Sequence, residues 1–184
     1  MNFANIFVMN TIYPCFWFDN KAKDAADFYC RVFPGASIFS TSPIVTLFQI
    51  GEERIMCLNG APAFKINPAI SLFYVSESKQ ETDKVWNELA AEGSVMMKYQ
   101  SYPWSEKYGW LQDKYGISWQ ISYGKRSDVG QAITPSFLFT GEQQGKAEGK
   151  SRRSDPIIHF HFPGFQNHWY YALSGRRGGH SRYC

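Results

Sequence analysis

The chain has 184 residues, of which 44% are hydrophobic, 17% aromatic and 19% charged. This composition excludes a disordered or low-complexity protein and predicts one folded domain, or two small ones, with a substantial core. The formal net charge is +3. Residues 150–184 carry six Lys or Arg against one acidic residue, and they also contain all four histidines. The rest of the chain is therefore slightly acidic, which argues against a nucleic-acid-binding surface there.

Nothing in the sequence indicates membrane insertion or export. No apolar run approaches the roughly 20 residues that span a bilayer. The N-terminus lacks the basic start and the small-residue cleavage site of a signal peptide. The cysteines show no paired spacing, which is typical of reduced thiols in a cytosolic protein. These four residues are Cys15, Cys30, Cys57 and Cys184. We therefore expect a cytoplasmic protein without a membrane partner.

The first of two similar units begins with a strand over residues 12–18, in which alternate side chains share one face. The residues on that face are Ile12, Pro14, Phe16 and Phe18. Asp19 or Asn20 can cap the helix that follows, which Pro34-Gly35 stops. Three short strands complete the unit, near residues 37–41, 44–50 and 54–58.

The second unit repeats this order. A mostly apolar strand over residues 69–75 precedes a capping box formed by Ser78 and Glu81, and the helix that it starts ends at Gly93. Strands follow at residues 95–100, 108–112 and 118–123, the last two joined by a turn that contains Asp113. The order strand, helix and three strands, found twice, predicts an α+β fold with a curved mixed sheet and the helices outside it.

Three segments resemble a known family. They are YPCFWFDNKAKDAADFYCRVFP at residues 13–34, NPAISLF at 67–73 and GWLQDKYGISWQI at 109–121. They are similar to PhnB-like proteins of the vicinal oxygen chelate superfamily, which also contains glyoxalase I and the extradiol dioxygenases. The resemblance covers residues 9–124. It implies paired βαβββ modules that form a cupped mixed sheet with helices outside, and a homodimer.

The superfamily's metal enzymes hold one divalent ion in the cup through two His and two Glu, one from each of four strands. The resemblance carries these positions to Pro14, to residues 57–59, to Ile70 or Ser71, and to Gln120. None of them supplies the imidazole or carboxylate that such an ion requires. We therefore expect no metal.

Members of this family are often labelled 3-demethylubiquinone-9 3-methyltransferases, a name that implies S-adenosylmethionine. The sequence contains no Gly-rich loop between a strand and a helix, and its element order differs from that of a Rossmann-like cofactor domain. We therefore expect no cofactor and interpret the label as a misnomer for this chain.

The remaining candidate site is an aromatic-lined cup that binds a small molecule. Its expected ligand-binding residues are Phe16, Phe18, Cys57, Ser71, Trp110 and Gln120. Gln120 offers one acceptor and two donors to a ligand, or it forms internal bonds that only close the sheet. Trp110 equally fits simple core packing. No catalytic residue is assigned, and whether the chain is an enzyme stays open.

Three functions follow from this site. The first is a metal-free binding domain for a small, partly aromatic or apolar molecule. The second is a superfamily enzyme that uses Gln120 and Cys57 in roles that the sequence does not define. The third is a structural dimerisation module without a ligand.

The rest of the chain divides into three parts. Residues 1–8 form an N-terminal extension. Residues 125–149 form a linker and the first strand of a truncated second copy, because ITPSFLF at 133–139 repeats the Ile, Pro and Phe positions of 12–18. Residues 150–184 lack helical or strand periodicity and are interpreted as an aberrant, disordered basic tail produced by a frame shift near Gly149.

Two alternatives remain for this tail. His159, His161 and His168 could bind a transition metal, since alternate residues of a strand share a face. The arginine clusters could instead bind nucleic acid or anionic lipid.

Overall fold

A computed structural model of the chain describes residues 13–60, 65–137, 157–160 and 169–172. The strands of the first unit are β1 (Cys15–Phe18), β2 (Ser37–Thr41), β3 (Val45–Ile50) and β4 (Glu53–Asn59). Those of the second are β5 (Ile70–Ser76), β6 (Ser94–Tyr102), β7 (Ser105–Gln112) and β8 (Ser118–Tyr123). The later strands are β9 (Ile133–Phe137), β10 (Ile157–Phe160) and β11 (Trp169–Ala172). The helices are α1 (Ala22–Val32), α2 (Lys79–Ala90) and α3 (Arg126–Val129).

The two predicted units are confirmed as two βαβββ modules, each with its own mixed sheet. Sheet A has the strand order β1-β4-β3-β2, and sheet B has the order β6-β7-β8-β5-β9. In each module the first strand pairs in parallel with the fourth, β1 with β4 and β5 with β8. The helix after the first strand supplies the long crossover that a parallel pair requires. The α+β class predicted from the element order is therefore correct.

Helix α1 buries the stripe that its spacing predicts. The six side chains of this stripe, Ala22, Ala25, Ala26, Tyr29, Val32 and Phe33, are all at most 1% exposed. Its N-terminus differs from the prediction, because neither Asp19 nor Asn20 caps it. The backbone N–H of Ala22 instead donates to Oδ1 of Asn59, 2.8 Å away at the end of β4. A side chain from a distant strand thus satisfies a helix donor that has no partner within the helix.

Helix α2 starts at the predicted cap. The backbone N–H of Glu81 donates to the Ser78 Oγ atom at 3.3 Å. The carboxylate of Glu81 does not complete a reciprocal capping box in the described contacts, since it accepts a hydrogen bond from the Tyr74 hydroxyl. This bond links α2 to β5.

Each sheet has a helix face, which packs against the helices, and a far face on the opposite side. The helix faces of both sheets join α1 and α2 in one hydrophobic cluster. Helix α1 contacts sheet B as well as its own sheet, since the rings of Tyr29 and Trp119 lie 5.4 Å apart between centroids. The core therefore lies between the modules, on the helix side of both sheets.

The sequence repeat at residues 133–137 forms β9, which pairs antiparallel with β5 at the edge of sheet B. Strands β10 and β11 pair antiparallel with each other within the predicted tail. His159 lies in β10, whereas His161 and His168 fall outside the described residues. The domain boundaries, the frame shift and the two binding alternatives for the tail stay predictions. No helix in the described ranges is both long and apolar enough to cross a membrane.

Candidate functional site

The structure divides the six predicted ligand-binding residues between opposite faces of two sheets. Phe16, Phe18 and Cys57 lie on the helix face of sheet A and belong to the central hydrophobic cluster. Ser71, Trp110 and Gln120 lie on the far face of sheet B. The sequence correctly groups Phe16 with Phe18, but the side of the sheet on which a group lies depends on where the helix packs. The six residues therefore do not line one cup, as we had expected from the sequence.

Cys57 lies in the core of the first module. Its side chain is inaccessible to solvent, and burial raises the pKa of its thiol well above the ordinary value. A thiol with a raised pKa contains less of the nucleophilic thiolate. Because Cys57 and Gln120 lie on different sheets and opposite faces, the structure does not bring them together as a catalytic pair.

Gln120 is the centre of a buried hydrogen-bond chain across sheet B. The Tyr108 hydroxyl donates to Gln120 Oε1 at 2.7 Å, and Gln120 Nε2 donates to the Ser71 Oγ atom at 2.8 Å. This hydrogen-bond chain joins β7, β8 and β5. Gln120 is only 1% exposed, and both ends of its amide have protein partners. Of the two roles that the sequence leaves open, this geometry provides the internal bonding that closes the sheet.

Trp110 lies beside this chain and is buried, as core packing predicts. Its indole Nε1 donates to the Ser118 Oγ atom at 2.6 Å. The far face of sheet B thus pairs aromatic side chains with short polar ones, and each buried polar atom described there has a hydrogen-bond partner.

Asp113 has a larger role than a solvated turn residue, because its buried carboxylate joins the modules. Its Oδ2 atom accepts from the Tyr29 hydroxyl at 2.7 Å and from Trp119 Nε1 at 2.8 Å. Its Oδ1 atom accepts from the backbone N–H groups of Tyr115 and Ile117. Burial raises the pKa of this carboxyl, against the opposing effect of the four donors. The sequence signal was the turn Asp-Lys-Tyr-Gly, which does not reveal the bond to Tyr29.

The residues at the superfamily's metal positions do not fit a divalent ion. Pro14 has no side-chain donor atom, and Cys57 points into the core. The oxygen of Gln120 accepts from Tyr108, and its nitrogen is bonded to Ser71. Within the described ranges, no three His, Cys, Asp or Glu side chains gather as a metal site would require. A structural hydrogen-bond chain therefore lies where the resemblance implies ligands.

The residues also do not fit a nucleotide-like cofactor at either strand-to-helix turn. The first N–H of α1 is bonded to Asn59, and Ser78 caps α2. The turns themselves, at residues 19–21 and 77–78, contain no glycine. Close approach of a cofactor phosphate or carboxylate to such a turn requires small residues and free N–H groups.

A groove lies between β1 and the β5–β9 edge of sheet B. Its volume is about 470 Å³, which is within the usual range for small-molecule sites. Its walls are mainly apolar, and Phe16 is the one predicted ligand-binding residue that lines it. The other lining residues are Tyr13, Pro14, Cys15, Trp17, Lys65, Ile66, Asn67, Ile70, Pro135 and Phe137. This site was not predicted from the sequence, because it forms only when β9 is placed beside β1.

Three polar side chains line the groove. Lys65 and Asn67 lie in the segment that leads into β5, and both are exposed. The Asn67 Oδ1 atom accepts from the backbone N–H of Ala69 at 2.9 Å, which fixes the start of that strand. The thiol of Cys15 contributes a third polar group. The groove therefore combines an apolar wall with a few hydrogen-bonding groups.

Comparison with known proteins agrees with this architecture. A PhnB protein from Bacillus cereus has 33% sequence identity and a TM-score of 0.58, covering 62% of this chain and 99% of its own. Protein PA1353 from Pseudomonas aeruginosa has 23% identity and a TM-score of 0.53, covering 61% of this chain and 96% of its own. This similarity supports the fold alone.

Protein YjdN of Escherichia coli K12 is 28% identical over 79 residues, which are 42% of this chain. The chain thus spans about half the length of that curated relative (54%). The family model described as 3-demethylubiquinone-9 3-methyltransferase matches residues 10–122.

The fold and these similarities define a PhnB-like protein with paired βαβββ modules, as the resemblance implied. More specifically, the chain belongs to the 3-demethylubiquinone-9 3-methyltransferase family. Membership does not carry the named reaction to this chain. The predicted homodimer stays a prediction.

Proposed function

We propose that this PhnB-like protein binds a small, partly aromatic molecule in the groove between β1 and β9, without a metal ion. The observation that carries the proposal is the groove itself, with its volume of about 470 Å³ and its aromatic walls. Pockets for small ligands are usually concave and mostly apolar, with a few polar groups that orient the ligand.

The wall chemistry defines the class of ligand. The exposed rings of Trp17 and Phe137, together with that of Tyr13, offer flat apolar surfaces to a planar molecule. Lys65 supplies a cationic donor and Asn67 an amide at one side. A planar ring system that carries a carbonyl or carboxylate oxygen fits both features, because the oxygen accepts from Lys65 while the ring packs against the aromatic walls.

The proposal favours binding over catalysis by Gln120 and Cys57. Gln120 is committed to Tyr108 and Ser71, and Cys57 is buried with a raised pKa. We propose a cytoplasmic location for this activity, which is supported by the free thiols of Cys15, Cys30 and Cys57.

A thermal-shift screen of planar aromatic ketones and carboxylic acids tests the proposal. A ligand that binds the folded protein raises its Tm by mass action. The groove variant is Ile70→Lys, which places a long charged chain at the wall. Ile44→Lys is the matched control, since Ile44 is also an exposed isoleucine but lies outside the groove lining.

A hit that stabilises the wild type and Ile44→Lys, but not Ile70→Lys, supports the groove. A hit that stabilises all three proteins equally would move the binding site elsewhere. Incubation of any hit with the protein, followed by mass spectrometry, then distinguishes a binding domain from an enzyme by the appearance of a product.

A further inference from the structure

A small cleft adjoins the groove and shares part of its lining. The volume of this cleft is about 110 Å³, several times what a single water molecule needs. Tyr13, Pro14 and Pro135 line both the groove and the cleft. One molecule can therefore place its ring in the groove and a short side chain in the cleft.

The charged and polar side chains of the cleft differ from those of the groove. Lys65 is the charged residue in the lining of the groove. The cleft is lined instead by the carboxylate of Glu53 and the amide of Gln131. Gln131 Nε2 donates to the Thr134 Oγ1 atom at 3.1 Å, so its amide oxygen is the end that can accept from a ligand. The cleft therefore presents two acceptors, one of them charged.

Arg54 also lines the cleft, but its charge lies on the other face of the sheet. In the ladder between β3 and β4, Glu53 pairs with Ile50 and Arg54 with Gln49. Ile50 belongs to the central cluster on the helix face, so Glu53 points to that face and Arg54 to the far face. The Arg54 Cζ atom lies 3.9 Å from the centroid of the Phe39 ring, which does not line the cleft. None of the ion pairs between described residues involves Glu53.

The Glu53 carboxylate is held by its own turn and by the second module. Gly51 closes the turn between β3 and β4 with a φ of +63°, and a Cβ atom there would lie 3.2 Å from Glu53 Oε2. Partial burial raises the pKa of Glu53, whereas backbone N–H groups of the turn and of Ala132, just before β9, lower it. The carboxylate is thus fixed and partly desolvated without a cation. A positively charged ligand group would complete it with a charge-assisted hydrogen bond.

We propose that the cleft binds a primary ammonium group, carried on a short alkyl chain by the molecule whose ring occupies the groove. Glu53 is the counter-ion and Gln131 Oε1 the second acceptor, which suit the three N–H donors of an ammonium group. This assignment rests on the proposed function. It narrows the ligands to planar aromatic ketones or acids that also carry an aliphatic amine, with the oxygen at Lys65 and the amine at Glu53.

Three compounds that share one ring test the preference for positive charge. The amine is para-acetylphenethylamine, and para-propylacetophenone is its neutral isostere. The para-acetylphenyl derivative of propionic acid is the anionic counterpart. All three contain the planar aromatic ketone that fits the groove. Because charge-assisted hydrogen bonds are stronger than neutral contacts, we expect the amine to bind at least about tenfold more tightly than the neutral compound. The acid should bind most weakly.

Proton–nitrogen correlation NMR of the full chain measures these affinities and locates each compound. The side-chain amide of Gln131 and the backbone N–H of Ala132 report on the cleft. The indole N–H of Trp17 reports on the groove, since Trp17 lines the groove but not the cleft. Titration to millimolar concentrations detects even weak binding, because a millimolar Kd still corresponds to about −4 kcal/mol.

Glu53→Gln removes the charge but keeps the length of the side chain. Glu52→Gln is the matched control, because Glu52 is the adjacent, exposed glutamate and lines neither the cleft nor the groove. We expect the preference for the amine over the neutral compound to fall below about threefold in Glu53→Gln and to stay near tenfold in Glu52→Gln. Gln131→Leu is a second variant, which removes the other acceptor and should weaken only the amine.

A preference for the amine that is lost in Glu53→Gln or Gln131→Leu supports the proposal. Equal affinity for the amine and the neutral compound, tighter binding of the acid, or a full preference that persists in both variants overturns it. The groove then remains the site if the Trp17 signal still shifts. Shifts at Gln131 and Ala132 without a shift at Trp17 would support the ammonium site and contradict the groove. The absence of any shift at millimolar concentrations overturns both.

Discussion

The two modules share one order of elements but differ on their far faces. On sheet A this face is apolar and partly exposed, with Trp17 at 41% and Phe39 at 51% exposure. On sheet B it is buried and contains the chain from Tyr108 through Gln120 to Ser71. The same βαβββ pattern therefore yields one module with exposed rings on its far face and one with buried polar contacts there.

This difference shows where function can reside in the fold. The position that the superfamily uses for a metal-binding Glu is Gln120, which here strengthens sheet B. The groove instead forms at the border of the modules, where the edge of sheet A faces β9. If this comparison is correct, substitutions in sheet B should mainly reduce the stability of the protein. Equivalent substitutions on the far face of sheet A should change that stability only slightly.

The largest effect is expected for Asp113→Asn, at the bond between the modules. The amide NH₂ would face the Tyr29 hydroxyl and Trp119 Nε1, both of which donate to the native carboxylate. Loss of such a buried, charge-assisted network should lower the free energy of unfolding by about 3 kcal/mol. Urea denaturation measures it, with exposed Asp128→Asn as the control. A loss below about 1 kcal/mol would mean that the modules are joined mainly by apolar packing.

The next largest effect is expected for Gly109→Ala in β7. A Cβ atom there would lie 2.4 Å from the Trp86 ring of α2, and that ring is buried. Overpacking of this kind costs about 2 kcal/mol.

Gly60→Ala is the counterpart in the first module. Its Cβ atom would lie 3.1 Å from the half-exposed Trp17 ring, a milder approach than the 2.4 Å at Gly109. We expect a change below about 0.5 kcal/mol, so that thermal denaturation separates the two variants. Equal losses would contradict the difference in burial between the modules.

An effect smaller than that of Gly109→Ala is expected for Tyr108→Phe, which removes the donor to Gln120 Oε1. An unsatisfied buried acceptor should cost about 1.5 kcal/mol. Tyr102→Phe is the control, because its hydroxyl donates to the carbonyl of Lys98 at an exposed site. Chemical denaturation of both variants gives the difference between their free energies of unfolding. Equal values would show that solvent reaches Gln120.

Most of the fold is predictable from the sequence because its signals are local. Alternation places the eight strands of the two modules within a few residues of their observed bounds, and the stripe of α1 follows from its spacing of three and four. The cap by Asn59 was not predictable, since it comes from a strand 37 residues away. The internal partners of Gln120 were anticipated as one of two alternatives.

The candidate site was less predictable than the fold. Strand alternation shows that Phe16 and Phe18 share a face, but not that α1 covers it. The repeat at residues 133–137 indicates a strand, but not that it would pair with β5 and leave a groove beside β1. Both features depend on how distant elements pack, which local patterns do not contain.

The most direct test of the central claim is the affinity of the best screening hit, measured by isothermal titration calorimetry with wild type, Ile70→Lys and Ser71→Ala. Ile70 lines the groove, and the adjacent Ser71 belongs to the buried chain on the far face. Binding in the groove predicts that Ile70→Lys weakens the affinity at least about tenfold. It also predicts that Ser71→Ala changes the affinity less than about twofold. The reverse pattern would place the ligand at Gln120 and contradict the account.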